Sequence, residues 1–266
     1  MHYENDLDTR KRYNGDWKDG LYHGTGELFF NESSDVEYYK GDFDKGSFHN
    51  HGRLQYRDGG WYEGEFNALL SSVEEVGRQP HFPLTGKREG HGRRVWASGN
   101  TFEGRWAGDA MAEGRYVDAF NCSTYVGTFR QNKKNGSGKE TWRSPHGKDF
   151  QDPCLGWKHA AYGVCKYKGN YSNGLFHGEG KFQAPDGRLY EGEWRNGKPH
   201  GRGTMLFLRQ NEYGDSSRMN IGKYGSLYRP VKYTGDWEDG KRHGKGKLTY
   251  VDGSTKEVTF ADGTGV

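Results

Sequence analysis

Apolar and polar positions alternate with period two along most of the chain. In Tyr13-Asn14-Gly15-Asp16-Trp17, the first, third and fifth residues face one side of an extended strand, and Asn14 and Asp16 face the other. Lys18-Asp19-Gly20 supplies turn chemistry, because glycine accepts a positive φ. A second strand then runs from about His23 to Phe30, and its glycines leave room for neighbouring rings to lie flat across the backbone. The unit reads as a β-hairpin. Asp186-Gly187 and Asp252-Gly253 fit the turns between units.

The same unit returns along the chain. Tyr-x-Gly-x-Trp-x-x-Gly-x-x-His-Gly-x-Gly stands at Tyr13, Gly15, Trp17, Gly20, His23, Gly24 and Gly26. It recurs at Tyr190, Gly192, Trp194, Gly197, His200, Gly201 and Gly203, and at Tyr233, Gly235, Trp237, Gly240, His243, Gly244 and Gly246. Hairpins start at Tyr13, Tyr39, Tyr62, Phe102, Tyr125, Tyr167, Tyr190 and Tyr233, with 23 residues as the shortest spacing. Gly41, Gly64, Gly104, Gly127 and Gly169 repeat the role of Gly15. Thr255–Phe260 keeps the phase without the first Tyr and Gly, as a degenerate terminal cap does. A fixed period of this kind predicts an array with neighbour-only contacts. The expected fold is all-β: an elongated, twisted, single-layer antiparallel meander of β-hairpins, about 75–80 Å long at about 4.8 Å per strand.

In this reading residues 1–12 form an N-terminal segment and 13–266 the repeat array. Insertions fall at about 67–90, 143–166 and 208–232. The first lies inside a hairpin, and the other two lie between hairpins on the opposite rim. Leu69–Val76 reads as one or two helical turns before Pro80. Loops of this length are functional or disordered more often than short ones.

Composition sharpens the picture. Glycine is 43 of 266 residues, aromatic residues are 15% and apolar residues only 31%, so the rings must supply most of the buried area. An aromatic-rich chain is not of the disordered class. A net charge of +3 from nearly balanced basic and acidic residues gives no electrostatic case for nucleic acid. The three cysteines, Cys122, Cys154 and Cys165, share no metal-type spacing, and their sparse use fits a reducing compartment. Met1–Asp6 is charged rather than a signal segment, and no apolar run reaches transmembrane length. The expected location is cytoplasmic, with membrane contact at most peripheral.

The repeat itself generates most of the candidate chemistry. His23, His91, His177, His200 and His243 recur at one place in their units, which invites a metal ladder. Equivalent positions on adjacent hairpins are roughly 9–10 Å apart, whereas zinc needs nitrogens at about 2.0–2.1 Å. Turn and packing roles fit them better. Gly192–Lys198 matches most of a phosphate loop, but Pro199 follows and the segment reads strand–turn–strand. No catalytic residue, metal or cofactor is expected. The main candidate is an aromatic face lined by Tyr13, Trp17, Tyr39, Phe43, Tyr62, Phe66, Phe102, Trp106, Tyr167, Tyr190, Trp194, Tyr233 and Trp237. Either these rings pack on one another, or a groove of them receives a partner helix or extended peptide. Basic groups such as Arg10-Lys11-Arg12, Lys87-Arg88 and Lys133-Lys134 are short and scattered, against the four to eight clustered basics of a lipid-binding segment.

From about Tyr13 to Gly263 the motif resembles the MORN repeat (membrane occupation and recognition nexus). The units at Tyr13, Tyr167, Tyr190 and Tyr233 fit best, with Tyr171 in the Trp place. Phe43, Phe66 and Phe129 replace Trp, Asn135 replaces His, and Ala110–Glu113 departs from the turn pattern, so the middle units look less regular. The resemblance implies a non-enzymatic scaffold for protein association. Similar proteins occur in the axonemes of cilia and flagella, in other cytoskeletal and cell-division structures, and in junctional membrane complexes. The implied partners are other proteins, or further copies of the chain through its terminal strands. The alternative is a peripheral module that binds acidic phospholipid such as phosphoinositide.

Overall fold

A computed structural model describes residues 10–68, 86–143, 150–151, 158–159, 163–207 and 229–266. The fold is all-β, with eighteen strands in an open antiparallel meander and no helix among the described residues. The strands fall into two compact units. One runs through Phe120 and takes in Phe129–Asn132; the other holds Asn121–Thr128 and continues from Lys133.

The first unit contains β1 (Arg10–Lys18), β2 (Leu21–Phe30), β3 (Val36–Asp44), β4 (Ser47–Tyr56), β5 (Trp61–Ala68), β6 (Gly86–Val95), β7 (Thr101–Ala107) and β8 (Ala110–Asp118). Each pairs antiparallel with the next. The second unit opens with β9 (Ser123–Arg130) and β10 (Lys133–Arg143), which pair. Between them and the rest lies a separate short pair, β11 (Phe150–Gln151) and β12 (Lys158–His159). The meander continues through β13 (Val164–Ser172), β14 (Leu175–Gln183), β15 (Leu189–Arg195) and β16 (Lys198–Leu206). It ends with β17 (Pro230–Glu238), β18 (Lys241–Tyr250), β19 (Thr255–Ala261) and β20 (Thr264–Gly265).

Two-residue turns close the hairpins whose connections are described. Asp19 and Gly20 both have positive φ, at 52° and 75°, and Asn196 and Gly197 repeat this at 51° and 81°. Such turns match the right-handed twist of the flanking strands. The second strand therefore starts at Leu21, earlier than the His23 expected from the motif, and Leu21 and Tyr22 pair with Lys18 and Trp17.

One glycine per strand occupies the same register throughout. In the first unit the row reads Gly15, Gly26, Gly41, Gly52, Gly64, Gly92, Gly104 and Gly114, each opposite the next. In the second it runs from Gly138 through Gly169, Gly180, Gly192, Gly203, Gly235 and Gly246, and ends on Val258. The row forces close approach. A Cβ on Gly169 would stand 2.5 Å from the Cα of Gly180, so only hydrogen fits. Just past the row the register slips between Gly15 and Trp17, and likewise between Gly192 and Trp194 and between Gly235 and Trp237. A bulge bends its strand and sharpens the local twist.

The fourth hairpin, expected to be irregular, pairs as the others do, with Gly104 opposite Gly114 and Trp106 opposite Met111. Strands reclaim parts of the expected insertions: β6 from Gly86, β13 from Val164 and β17 from Pro230. The helical reading of Leu69–Val76, and Cys154, lie outside the described residues.

Candidate functional site

The aromatic positions form a packed row in each unit. Tyr39 meets Phe43 of its own strand edge-on at 5.1 Å and Phe66 of the next hairpin at 5.3 Å. Its other face stacks on Phe48 at 3.8 Å. In the second unit Tyr167 repeats this with Tyr171 at 5.2 Å, Trp194 at 5.4 Å and Phe176 stacked at 3.7 Å. Tyr190 and Trp237 continue the row, 5.1 Å apart, and Tyr233 meets Phe260 at 5.5 Å. In the first unit Tyr62 meets Trp106 at 5.4 Å, and Phe102 meets Phe129 at 5.4 Å. Edge-to-face contacts at these distances add to the stability that burial already gives.

Polar tips are satisfied inside the row. The hydroxyls of Tyr39, Tyr62, Tyr125, Tyr167, Tyr190 and Tyr233 each donate to the carbonyl three residues on, at 2.9–3.0 Å. The indole N–H groups of Trp106, Trp194 and Trp237 donate to the carbonyls of Gly92, Gly180 and Gly203 in the strand before, at 3.2, 3.0 and 3.3 Å. Burial holds the hydroxyls of Tyr39, Tyr62, Tyr125 and Tyr190 above the ordinary phenol range. For Tyr171, burial and then the neighbouring Glu140 carboxylate raise it.

These contacts correct the expectation of an exposed aromatic groove. Tyr39, Phe43, Tyr62, Phe66, Phe102, Trp106, Tyr167, Tyr190, Trp194, Tyr233 and Trp237 are all buried. A single layer covers them because the glycine row lets rings lie on the backbone while rings of adjacent hairpins cover their edges. Tyr13 is half-buried, and Trp17 is 59% exposed.

Carboxylates on the opposite face clasp the bulges. Gly201 has φ +58°, and the N–H of Arg202 just after it donates to Glu193 Oε1 at 2.8 Å. Asp16 accepts from Thr25 N–H at 3.2 Å and Asp236 from Lys245 N–H at 3.2 Å. The hairpin histidines keep local company: His23 Nδ1 lies 3.4 Å from Asp44, and His243 Nε2 lies 3.4 Å from Glu238. Among the described residues, no three His, Cys, Asp or Glu side chains are placed to share a metal ion.

Register also assembles charges that looked scattered in sequence. Beside the glycine row of the first unit, Glu27, Lys40, Arg53, Glu63, Arg93, Glu103 and Arg115 stand opposite one another on successive strands. In the second unit Lys139, Lys168 and Lys181 occupy the same row and are exposed, with Lys181 bonded to Glu191 at 3.0 Å. Each residue adjoins a row glycine, so aligning the strands on that glycine would have revealed both series.

Two side chains break the buried aliphatic positions held by Leu28 and Leu54. Arg94 is buried with its Cζ 3.5 Å from the centroid of Tyr56, and its Nε and Nη1 have no hydrogen-bond partner among the described residues. Glu140 pairs with Lys134 and accepts from the Tyr171 hydroxyl at 3.2 Å.

An array of glycine-hinged hairpins, each with a tyrosine or Phe102 and a second ring, defines a repeat protein without a central core. The MORN repeat matches at residues 13–33, 39–61, 86–101, 125–144, 167–187, 190–207 and 233–255, more than half of the chain. The chain belongs to the MORN-repeat family. A search of curated proteins returned no match. The hairpin that begins at Phe102 falls largely outside the matched segments, yet its strands and rings pack like the rest.

Proposed function

We propose that this protein is a non-enzymatic scaffold that gathers partner proteins on the cytoskeleton, with the axoneme of cilia or flagella as the specific setting. One observation carries the reading. Apart from Trp17 and the half-buried Tyr13, the ring-row positions of the first unit are buried, so the side chains it offers beside the glycine row run from Glu27 to Arg115. Charged side chains of both signs recur there at a strand spacing of about 4.8 Å. A regular pattern of mixed sign suits a complementary protein surface, since it favours one partner and register over others. The cytoskeletal and axonemal setting rests on where similar repeats occur.

A second reading is favoured by a different observation. Lys139, Lys168 and Lys181 set like charges opposite one another, which costs stability in a free sheet. An acidic phospholipid surface would offset that repulsion, and each basic residue near such a surface contributes about 1 kcal/mol.

Detergent extraction of cells expressing the tagged protein separates the two. Retention on an axoneme or another filament system supports the scaffold. Release with the membrane fraction, together with liposome flotation lost in Lys139→Glu/Lys168→Glu, supports the lipid reading.

A further inference from the structure

One ring of the first unit lacks the cover that Phe43, Phe66 and Trp106 have in the hairpins after it. Trp17 is 59% exposed, whereas Phe43, at the same place one hairpin on, is 3% exposed. The cover of Phe43 is explicit: the edge of Tyr13 at 5.2 Å, Tyr22 at 5.8 Å, and Gly24 opposite it in β2. Trp106 has in addition the Gly92 carbonyl of the strand before as its hydrogen-bond acceptor. Within the first unit, the described strand that pairs with β1 is β2, on one edge. Among the described residues of the first unit, the other edge presents backbone groups ready for strand addition, beside an exposed indole.

The charge of β1 narrows the occupant. Its described side chains include Arg12 and Lys18 against the single acid Asp16, whose carboxylate already accepts from Thr25 N–H. We infer that the outer edge of β1, anchored by Trp17, receives an extended acidic strand of a partner protein. The inference rests on the protein-association reading above and names where and what it binds.

The repeat supplies the register. Where β2 pairs with β3, Gly24 stands opposite Phe43, Gly26 opposite Gly41 and Leu28 opposite Tyr39. A guest strand antiparallel to β1 then needs glycines opposite Trp17 and Gly15, an aliphatic residue opposite Tyr13, and acids opposite Arg12 and Lys18. A second copy is a poor guest. Pairing β1 with its own copy about Gly15 sets Arg12 against Lys18, and like charges directly opposed are destabilising. Approach through β19 brings Lys256 to the tyrosine place and Val258 to the glycine place.

The test uses the full chain and a fluorescein-labelled peptide, Glu-Gly-Thr-Gly-Glu-Leu-Glu, followed by anisotropy. The inference predicts saturable binding that weakens as salt rises, because exposed charges are screened. It predicts a loss of roughly tenfold or more in Trp17→Ala, as for an interface anchor, and a similar loss in the charge variant Arg12→Glu/Lys18→Glu. A peptide with valine at both glycines should not bind. Unchanged binding by either variant, equal binding of the valine peptide, or no binding by wild type overturns it. So does a wild-type dimer in analytical ultracentrifugation that Trp17→Ala dissociates, because that places a second copy on the edge. Cytoskeletal retention that survives Trp17→Ala overturns the edge assignment and leaves the scaffold standing. Failure of the wild type to be retained overturns the scaffold itself.

Discussion

The ring of Tyr167 lies against Gly180, where a Cβ would stand 2.6 Å from the phenol carbon Cζ. The ring cannot withdraw, because Phe176 stacks on it at 3.7 Å and Trp194 meets it edge-on at 5.4 Å. Glycine and tyrosine recur together for this reason: each hairpin needs a backbone bare enough for a ring to rest on.

Gly180→Ala should therefore destabilise the protein by about 1–3 kcal/mol, the range of overpacked interiors. Thermal or urea unfolding measures it. An unchanged midpoint would mean that the ring has room the geometry does not show.

Tyr190→Phe keeps the ring and removes the hydroxyl that donates to the Glu193 carbonyl at 2.9 Å. The expected loss is about 1 kcal/mol, the net worth of one such hydrogen bond. Phe102 already occupies the equivalent place in the fourth hairpin, so the substitution should leave the fold intact. Urea unfolding of the variant reads the difference directly.

Alkaline pH should unfold the protein cooperatively. Burial raises the hydroxyls of Tyr39, Tyr62, Tyr125, Tyr171 and Tyr190 in the folded chain. An unfolded tyrosine ionises near pH 10. Below that pH the stability is whole. As pH rises through 10 toward the folded values, the unfolded chain sheds protons that the folded chain keeps, and stability falls. Tyrosinate absorbance should appear together with loss of the β-sheet circular dichroism. Independent titration of these tyrosines in a folded chain would contradict their burial.

Arg94→Leu should leave stability unchanged or raise it by about 1 kcal/mol. The guanidinium is buried with Nε and Nη1 unbonded among the described residues, and desolvation lowers its pKa. Leu28 and Leu54 hold the equivalent positions in the first two hairpins. A loss of more than about 1 kcal/mol in urea unfolding would show that the cation over Tyr56 outweighs the cost of desolvation.

The hairpins were legible in sequence because period two and the recurring glycines act within a few residues. Tyr13, Gly15 and Trp17 do share one face, and Asp19-Gly20 does make the turn. The fate of the rings was harder to read. Whether Trp194 is covered depends on Tyr167, more than twenty residues earlier, and on Gly180 between them, so burial emerges only when hairpins are stacked in register. The lysine series had the same obstacle. Lys139, Lys168 and Lys181 are distant along the chain and become neighbours through pairing. Trp17 reads in sequence like any other repeat tryptophan; its 59% exposure appears only once the described strands are paired.

The central claim is that the repeated rings hold the sheet while association uses the uncovered end of the first strand. The most direct measurement compares Trp17→Ala with Trp194→Ala in thermal unfolding and in retention on detergent-extracted cytoskeleton. Trp194 is 2% exposed, and its loss should cost about 3–5 kcal/mol, as for other buried tryptophans. Trp17→Ala should melt like wild type and lose the partner. A Trp194→Ala protein that stays as stable as wild type yet no longer binds, beside a Trp17→Ala protein that still does, would return the binding site to the ring row and contradict the account.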